Sequence, residues 1–229
     1  MRLVIFGCSH SVYFSHTLSD NFLEGFDKFI PKGRSGNSNA KIIHDVYDFI
    51  NSNEFNIDTD VLSIQYTYTN RFWSPNILPK SEYSFHTLDY GGPIFKENPS
   101  FLRNDLKKMY ETYLTYFWDY NLHFDYLVQK IDLLKSYLDS KNIKYVFYSW
   151  TDGGNTDEWK QVSGLTKTKD EDKLSYENFD KLGCIKIDGF RFIEPWAVKN
   201  NLLDETLHLT EEGNILFSKF LRKIIKEKF

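Results

Sequence analysis

The chain has 229 residues, with 41% hydrophobic and 26% charged, the balance of a soluble globular protein large enough for a sizeable core in one domain. Its formal net charge of -4 gives no attraction toward phosphate backbones and excludes nucleic acid as the main partner. No apolar run approaches the roughly 18 residues of a membrane-spanning helix, and two cysteines, Cys8 and Cys184, cannot build a disulfide framework, which implies a reducing, cytoplasmic setting.

In chain order, Arg2 to Phe6 reads as a short apolar strand ended by Gly7. The run before Cys8-Ser9-His10 is too short for a signal peptide and has no small-residue cleavage site. Ser11 to Phe26 is mixed, loop and then helix. Phe26 to Ile30 is a second strand, closed by Pro31 and Gly33. Asn37 to Asn51 carries Ile42, Ile43, Val46, Tyr47, Phe49 and Ile50 at a helical period. Asp60 to Tyr66 is a third strand.

Residues 73–100 hold four of the six prolines and Gly91-Gly92, the signature of an irregular excursion. Phe101 to Tyr120 and Phe124 to Ser140 read as helices. The second places Leu127, Ile131, Leu134 and Leu138 on one core stripe. Ile143 to Ser149 is a fourth strand. Residues 151–183 are polar, with the charged run Lys167 to Lys173, and read as a surface insertion. Cys184 to Ile187 is a short fifth strand. Thr210 to Lys228 is the last helix, capped by Thr210, with Gly213 where a capping box would place Glu. Strands alternating with helices make one α/β domain over 1–229: a three-layer α/β/α sandwich around a parallel five-stranded sheet.

In such a sheet reactive groups collect at the C-terminal ends of the strands. Gly7-Cys8-Ser9-His10-Ser11 follows the first strand, Gly33 to Asn39 the second, and Gln65 to Arg71 the third. Asp204 to Asn214 precedes the last helix. A serine on a strand-to-helix turn is a nucleophile when a base reaches it, and otherwise a helix cap. An acid three or four residues before a histidine can hold its Nδ1 proton. Glu205 stands three before His208 and Asp204 four before; without a partner serine the segment is only an acidic loop. Gly36 can aim its backbone N–H at an oxyanion and Asn70 its side-chain amide, or both are turn residues.

The joint order of these segments resembles the SGNH (GDSL-like) hydrolase superfamily. Gly7-Cys8-Ser9-His10-Ser11 matches the first block, with Cys8 in place of the usual Asp. Ser35-Gly36 matches the second, and His208-Leu209-Thr210-Glu211-Glu212-Gly213 the last. The resemblance implies a flavodoxin-like sandwich and an esterase without cofactor. Ser9 would be the nucleophile, His208 the base, and Glu205 or Asp204 the acid. The N–H groups of Ser9 and Gly36, with Asn70, would form the oxyanion hole. The implied substrate is a small-molecule or carbohydrate ester, an O-acetylated sugar first among them.

The chain departs from the family at the third block. Tyr66-Thr67-Tyr68-Thr69-Asn70 stands where Gly-x-Asn-Asp is usual, so Gln65, Thr67 or backbone are alternative donors to Asn70. Two other readings stand beside the esterase: an O-acyltransferase with the same triad, and a non-catalytic binding module that keeps the fold.

Cys8 is a second candidate nucleophile. His10, next to Ser9, is expected to point away where the turn is tight, and to be structural or to line the pocket. His16, His44, His86 and His123 show no ligand spacing beside Cys or Asp, so no metal site is expected. Arg71 is a candidate for an anionic group or a surface ion pair. Tyr110, Tyr113, Tyr116, Phe117, Trp118 and Tyr120 form an aromatic cluster of core or pocket-lining type.

Overall fold

The computed structural model describes residues 1–11, 26–33, 37–67, 112, 116, 120–150, 180 and 183–229. The excursion expected at 73–100, nearly all of the insertion at 151–183 and nearly all of the helix expected from Phe101 to Tyr120 lie outside them.

Among the described residues four strands form the sheet: β1 (Arg2–Phe6), β2 (Lys28–Pro31), β3 (Asp60–Tyr66) and β4 (Lys144–Ser149). Their order is β2-β1-β3-β4, and every pairing is parallel. β3 is buried along its whole length and β1 nearly so, as expected of central strands covered on both faces. β2 is an edge strand and half exposed.

Among the described residues two helices cover one face: α1 (Asn39–Ile50) and α2 (Tyr120–Ser140). Ile42, Ile43, Val46 and Phe49 of α1 and Ile131, Leu134 and Leu138 of α2 pack on Val4, Phe6, Leu62, Ile64 and Phe147. The other face carries α3 (Ile193–Lys199) and α4 (Glu211–Lys228). There Trp196, Ala197, Phe217, Leu221 and Ile225 pack on Leu3, Ile5, Val61, Val146 and Tyr148. Alternate residues of each strand feed opposite faces, which makes the three layers.

The expected fifth strand is corrected. Cys184 to Ile187 contributes one backbone bond to the sheet, from Ile185 N–H to the Phe147 carbonyl at 2.8 Å. Ile187 then turns back to bridge Phe190 in antiparallel sense, and Asp188 and Gly189 take positive φ of 49° and 87°. A tight turn two residues on leaves no length for a strand. Phe192 instead bridges Ser149 in parallel and leads into α3. The sequence reading gave α3 no helix. Pro195 stands in its first turn, where proline costs no hydrogen bond.

Register sets the level of the site. Phe6 lies beside Ile64, and Ile64 beside Phe147, so β1, β3 and β4 end at one height. The chain leaves that rim at Gly7, Thr67 and Trp150. At the opposite end Asp60, fully buried, receives Arg2 Nε at 2.5 Å and Nη2 at 2.7 Å. That bidentate pair closes the bottom of the sheet and raises the Arg2 guanidinium above its ordinary value.

Candidate active site

Cys8 ends the turn after β1, and Ser9, His10 and Ser11 begin a helical turn, with Ser11 N–H bonded to the Cys8 carbonyl at 3.0 Å. Backbone N–H groups in a first helical turn lack intrahelical acceptors. The Ser9 N–H therefore sits where an anion can be held. Ser9 retains 9% exposure, whereas Cys8 is fully buried.

The turn is pinned from β3. The Ser11 hydroxyl donates to Gln65 Oε1, and the Cys8 thiol approaches the same oxygen at 3.6 Å. The Ser11 hydroxyl thus anchors the loop, and Cys8, the second candidate nucleophile, is fully buried. Gly7 is required by close approach. A Cβ there would collide with Ser11 Oγ and stand 2.6 Å from Gln65 Oε1.

The second loop reaches the same rim. Asn37 Nδ2 donates to the Gly7 carbonyl at 3.2 Å. Ser38 caps α1 by accepting Lys41 N–H at 3.2 Å. Asn39 and Thr67 exchange two bonds: Asn39 Nδ2 to the Thr67 carbonyl at 2.9 Å, and Thr67 N–H to Asn39 Oδ1 at 2.8 Å. Thr67 is buried, and its hydroxyl has no hydrogen-bond partner among the described residues. Gly36, Asn70 and Arg71, as well as His16 and His86, lie outside the described residues, as do Tyr110, Tyr113, Phe117 and Trp118. Tyr116 is exposed, 77% of its surface open.

The fourth segment is a closed loop. Leu203 and Leu209 bridge in antiparallel sense, and Asp204 N–H donates to the His208 carbonyl at 2.8 Å. Asp204 Oδ1 accepts three donors: His208 N–H at 3.0 Å, Thr206 N–H at 2.8 Å and the Thr206 hydroxyl at 2.6 Å. These bonds outweigh partial burial and hold the Asp204 carboxyl below the usual carboxylate range. Thr206 Oγ1 also lies 2.9 Å from His208 Nδ1, while His208 Nε2 is buried. Glu205 is exposed and makes no hydrogen bond to His208. Thr210 then caps α4 by accepting Gly213 N–H at 3.1 Å.

The two ends of the chain meet through His10. Its ring stacks on Trp150 with centroids 3.5 Å apart and planes 12° apart, and lies 4.5 Å from the His208 ring. His10 is thus packed against both Trp150 and His208, rather than turned away from them. No hydrogen bond joins the Ser9 hydroxyl to His208 among the described residues.

Sequence reasoning missed Trp150 and Thr206. Trp150 follows β4 directly, so the rule that site residues follow strand ends contained the signal. Thr206 lies within the acidic segment, at equal spacing from Asp204 and His208. The expectation that no histidine stands beside an acid at ligand spacing also fails at His44. Ligand atoms of His44, Asp45 and Asp48 lie within 4.8 Å of one another on α1. His44 Nδ1 sits 3.0 Å from Asp48, and Lys41 pairs with Asp45, so both carboxylates have partners on the same helix.

The chain has the fold of SGNH/GDSL-like hydrolases. It is similar to a GDSL-like lipase of Bacteroides thetaiotaomicron VPI-5482, at 14% identity and a TM-score of 0.50, over 100% of this chain and 89% of that one. It also matches a candidate acylhydrolase of Bacteroides fragilis NCTC 9343, at 12% identity and a TM-score of 0.45, over 99% of this chain and 87% of that one. No protein-family model and no curated protein matches the sequence. Among the described residues no helix is long and apolar enough to cross a membrane.

Proposed function

We propose that this protein is a serine ester hydrolase of the SGNH type that acts on a small acyl ester, an O-acetylated carbohydrate first among candidates. The observation that carries the reading is the 4.5 Å contact between the rings of His10 and His208. It brings the residue next to Ser9 against the histidine of the last loop, from opposite ends of the chain.

In this reading His208 Nε2 takes the Ser9 hydroxyl proton, and Oγ forms the bond to the ester carbonyl carbon. The carbonyl π pair moves onto oxygen. The N–H groups of Ser9 and Gly36 receive that oxyanion, with Asn70 or the Thr67 hydroxyl as third donor. Collapse expels the alcohol, which takes the proton back from Nε2. Water then repeats the sequence on the acyl-serine and releases the acid. Asp204 is the acid member favoured by its bonds to the loop of His208. General base action supplies about 10²–10⁴-fold, and each oxyanion donor about 10²–10³-fold.

The test is covalent labelling by a fluorophosphonate together with hydrolysis of p-nitrophenyl acetate. The expected result is one label, on Ser9, and loss of both signals in Ser9→Ala. Unlabelled Ser9 in folded protein overturns the reading in favour of a binding module. Acyl transfer to an added sugar in preference to water assigns an O-acyltransferase.

A further inference from the structure

We infer that Thr206 is a positioning residue, whose hydroxyl couples the Asp204 carboxylate to Nδ1 of His208, so that the acid acts on the imidazole through a hydroxyl and not by direct contact. The inference deepens the hydrolase reading and rests on His208 as its base.

The argument is a count of protons. The Thr206 hydroxyl has one hydrogen and two close partners, Asp204 Oδ1 at 2.6 Å and His208 Nδ1 at 2.9 Å. A carboxylate has no proton to give, and the shorter contact is the charge-assisted one. The hydroxyl proton therefore goes to Asp204. What remains toward the ring is a lone pair on Oγ1, which only an N–H can meet. The neutral imidazole accordingly carries its proton on Nδ1, and the buried Nε2 is left as the basic atom. When Nε2 takes up a proton, the Thr206 dipole already points its oxygen at the new cation and its hydrogen at the acid.

Spacing gives the same result. Asp204 stands four residues before His208, and its Oδ1 is occupied by the backbone N–H groups of Thr206 and His208. Asp204, Thr206 and His208 alternate along the loop, and the middle side chain fills the gap. The other titratable group facing the His208 ring among the described residues is His10, from the turn after β1. Glu205, and Glu211 and Glu212 at the start of α4, are exposed.

The test reads the tautomer directly and does not depend on turnover. Long-range proton–nitrogen imidazole spectra of the full-length chain, with His208 assigned through His208→Gln, should show the Nδ1-protonated form. Thr206→Val should lose that preference, lower kcat/KM for p-nitrophenyl acetate about 10- to 100-fold, mainly in kcat, and move the acid limb of the pH profile to lower pH. Thr206→Ser should restore most of each. An Nε2-protonated ring in the wild type, or a Thr206→Val tautomer and rate equal to wild type, overturns the coupling. The two readings fail separately. A Thr206-dependent tautomer with Ser9 unreactive toward fluorophosphonate sinks the hydrolase and keeps the coupling. A reactive Ser9 with a Thr206-independent tautomer does the reverse.

Discussion

His10 lies flat on Trp150, with ring centroids 3.5 Å apart and planes 12° apart. Trp150 is the shelf at the end of β4: its N–H bonds the Tyr66 carbonyl at 2.9 Å, and its carbonyl accepts Glu194 N–H at 2.8 Å. The indole is buried, and its Nε1 has no partner among the described residues. Trp150→Phe keeps an apolar shelf and deletes an unsatisfied donor, so it should cost less than about 1.5 kcal/mol. Trp150→Ala removes the shelf and should cost about 3–5 kcal/mol. Urea denaturation measures both, and fluorophosphonate labelling should slow in Trp150→Ala under conditions where it stays folded. Equal labelling rates in all three proteins would remove Trp150 from the account of how His10 is placed.

Gly7 is the tightest point between β1 and β3. Gly7→Ala would drive a methyl into Ser11 Oγ and Gln65, and neither can withdraw without breaking the bond between them. The expected cost is about 1–3 kcal/mol, as for other overpacked sites. The larger consequence is displacement of the turn that carries Ser9. Gln65→Leu isolates the second part of this, because it strands the buried Ser11 hydroxyl for about 1–3 kcal/mol and adds no clash. Unfolding midpoints of Gly7→Ala, Gln65→Leu and the double variant measure the coupling. Additive effects would mean that the two sites do not share a contact.

Three core tyrosines make the fold sensitive to alkali. Burial pushes the Tyr148 phenol up to about 12, against its bond with Ser63. Burial likewise raises Tyr66, and burial with a bond to Asp139 raises Tyr145. In the unfolded chain each phenol ionises near pH 10.0. The folded chain then holds more protons than the unfolded one, so stability falls as pH rises. The contribution is intact below about pH 10 and is lost as pH climbs through the folded values. Urea midpoints taken at steps from about pH 8 to about pH 11 should decline at the upper end. Tyr148→Phe should flatten that decline, and an unchanged slope would contradict the burial account.

The elements legible in the sequence were those whose periodicity is set by burial on one face or both. β3 was read with its observed bounds because all of its residues are interior. α4 was read from its apolar stripe and Thr210. What escaped was decided by contacts distant in sequence. The stretch after Cys184 has strand-like composition, yet a positive-φ turn at Asp188-Gly189 ends it. α3 is only 7 residues long, shorter than two periods, and carries a proline, so no pattern could announce it. At the site, Ser9 and His208 were legible as residue types at the ends of elements. The joining contacts were not, because His10 on Trp150 and Thr206 on His208 are matters of side-chain direction.

Leu207 precedes the proposed base and takes φ 60°, a conformation costly for a branched side chain. The surrounding bonds impose it: Leu207 N–H donates to the Asp204 carbonyl at 3.1 Å, and the next residue must return its own N–H to Asp204 Oδ1. The side chain is 57% exposed, so little packing is at stake. Leu207→Gly relieves about 1–2 kcal/mol of left-handed strain against about 0.5–1 kcal/mol of added backbone entropy. Its stability should therefore stay within about 1 kcal/mol of wild type. Leu207→Pro cannot adopt positive φ and has no N–H to give, so the loop must open and His208 must leave its place beside Thr206. Ester hydrolysis should collapse in the proline variant while the far-ultraviolet circular dichroism of the α/β core persists. Wild-type turnover in Leu207→Pro would show that the closed shape of the 203–209 loop is not what places His208.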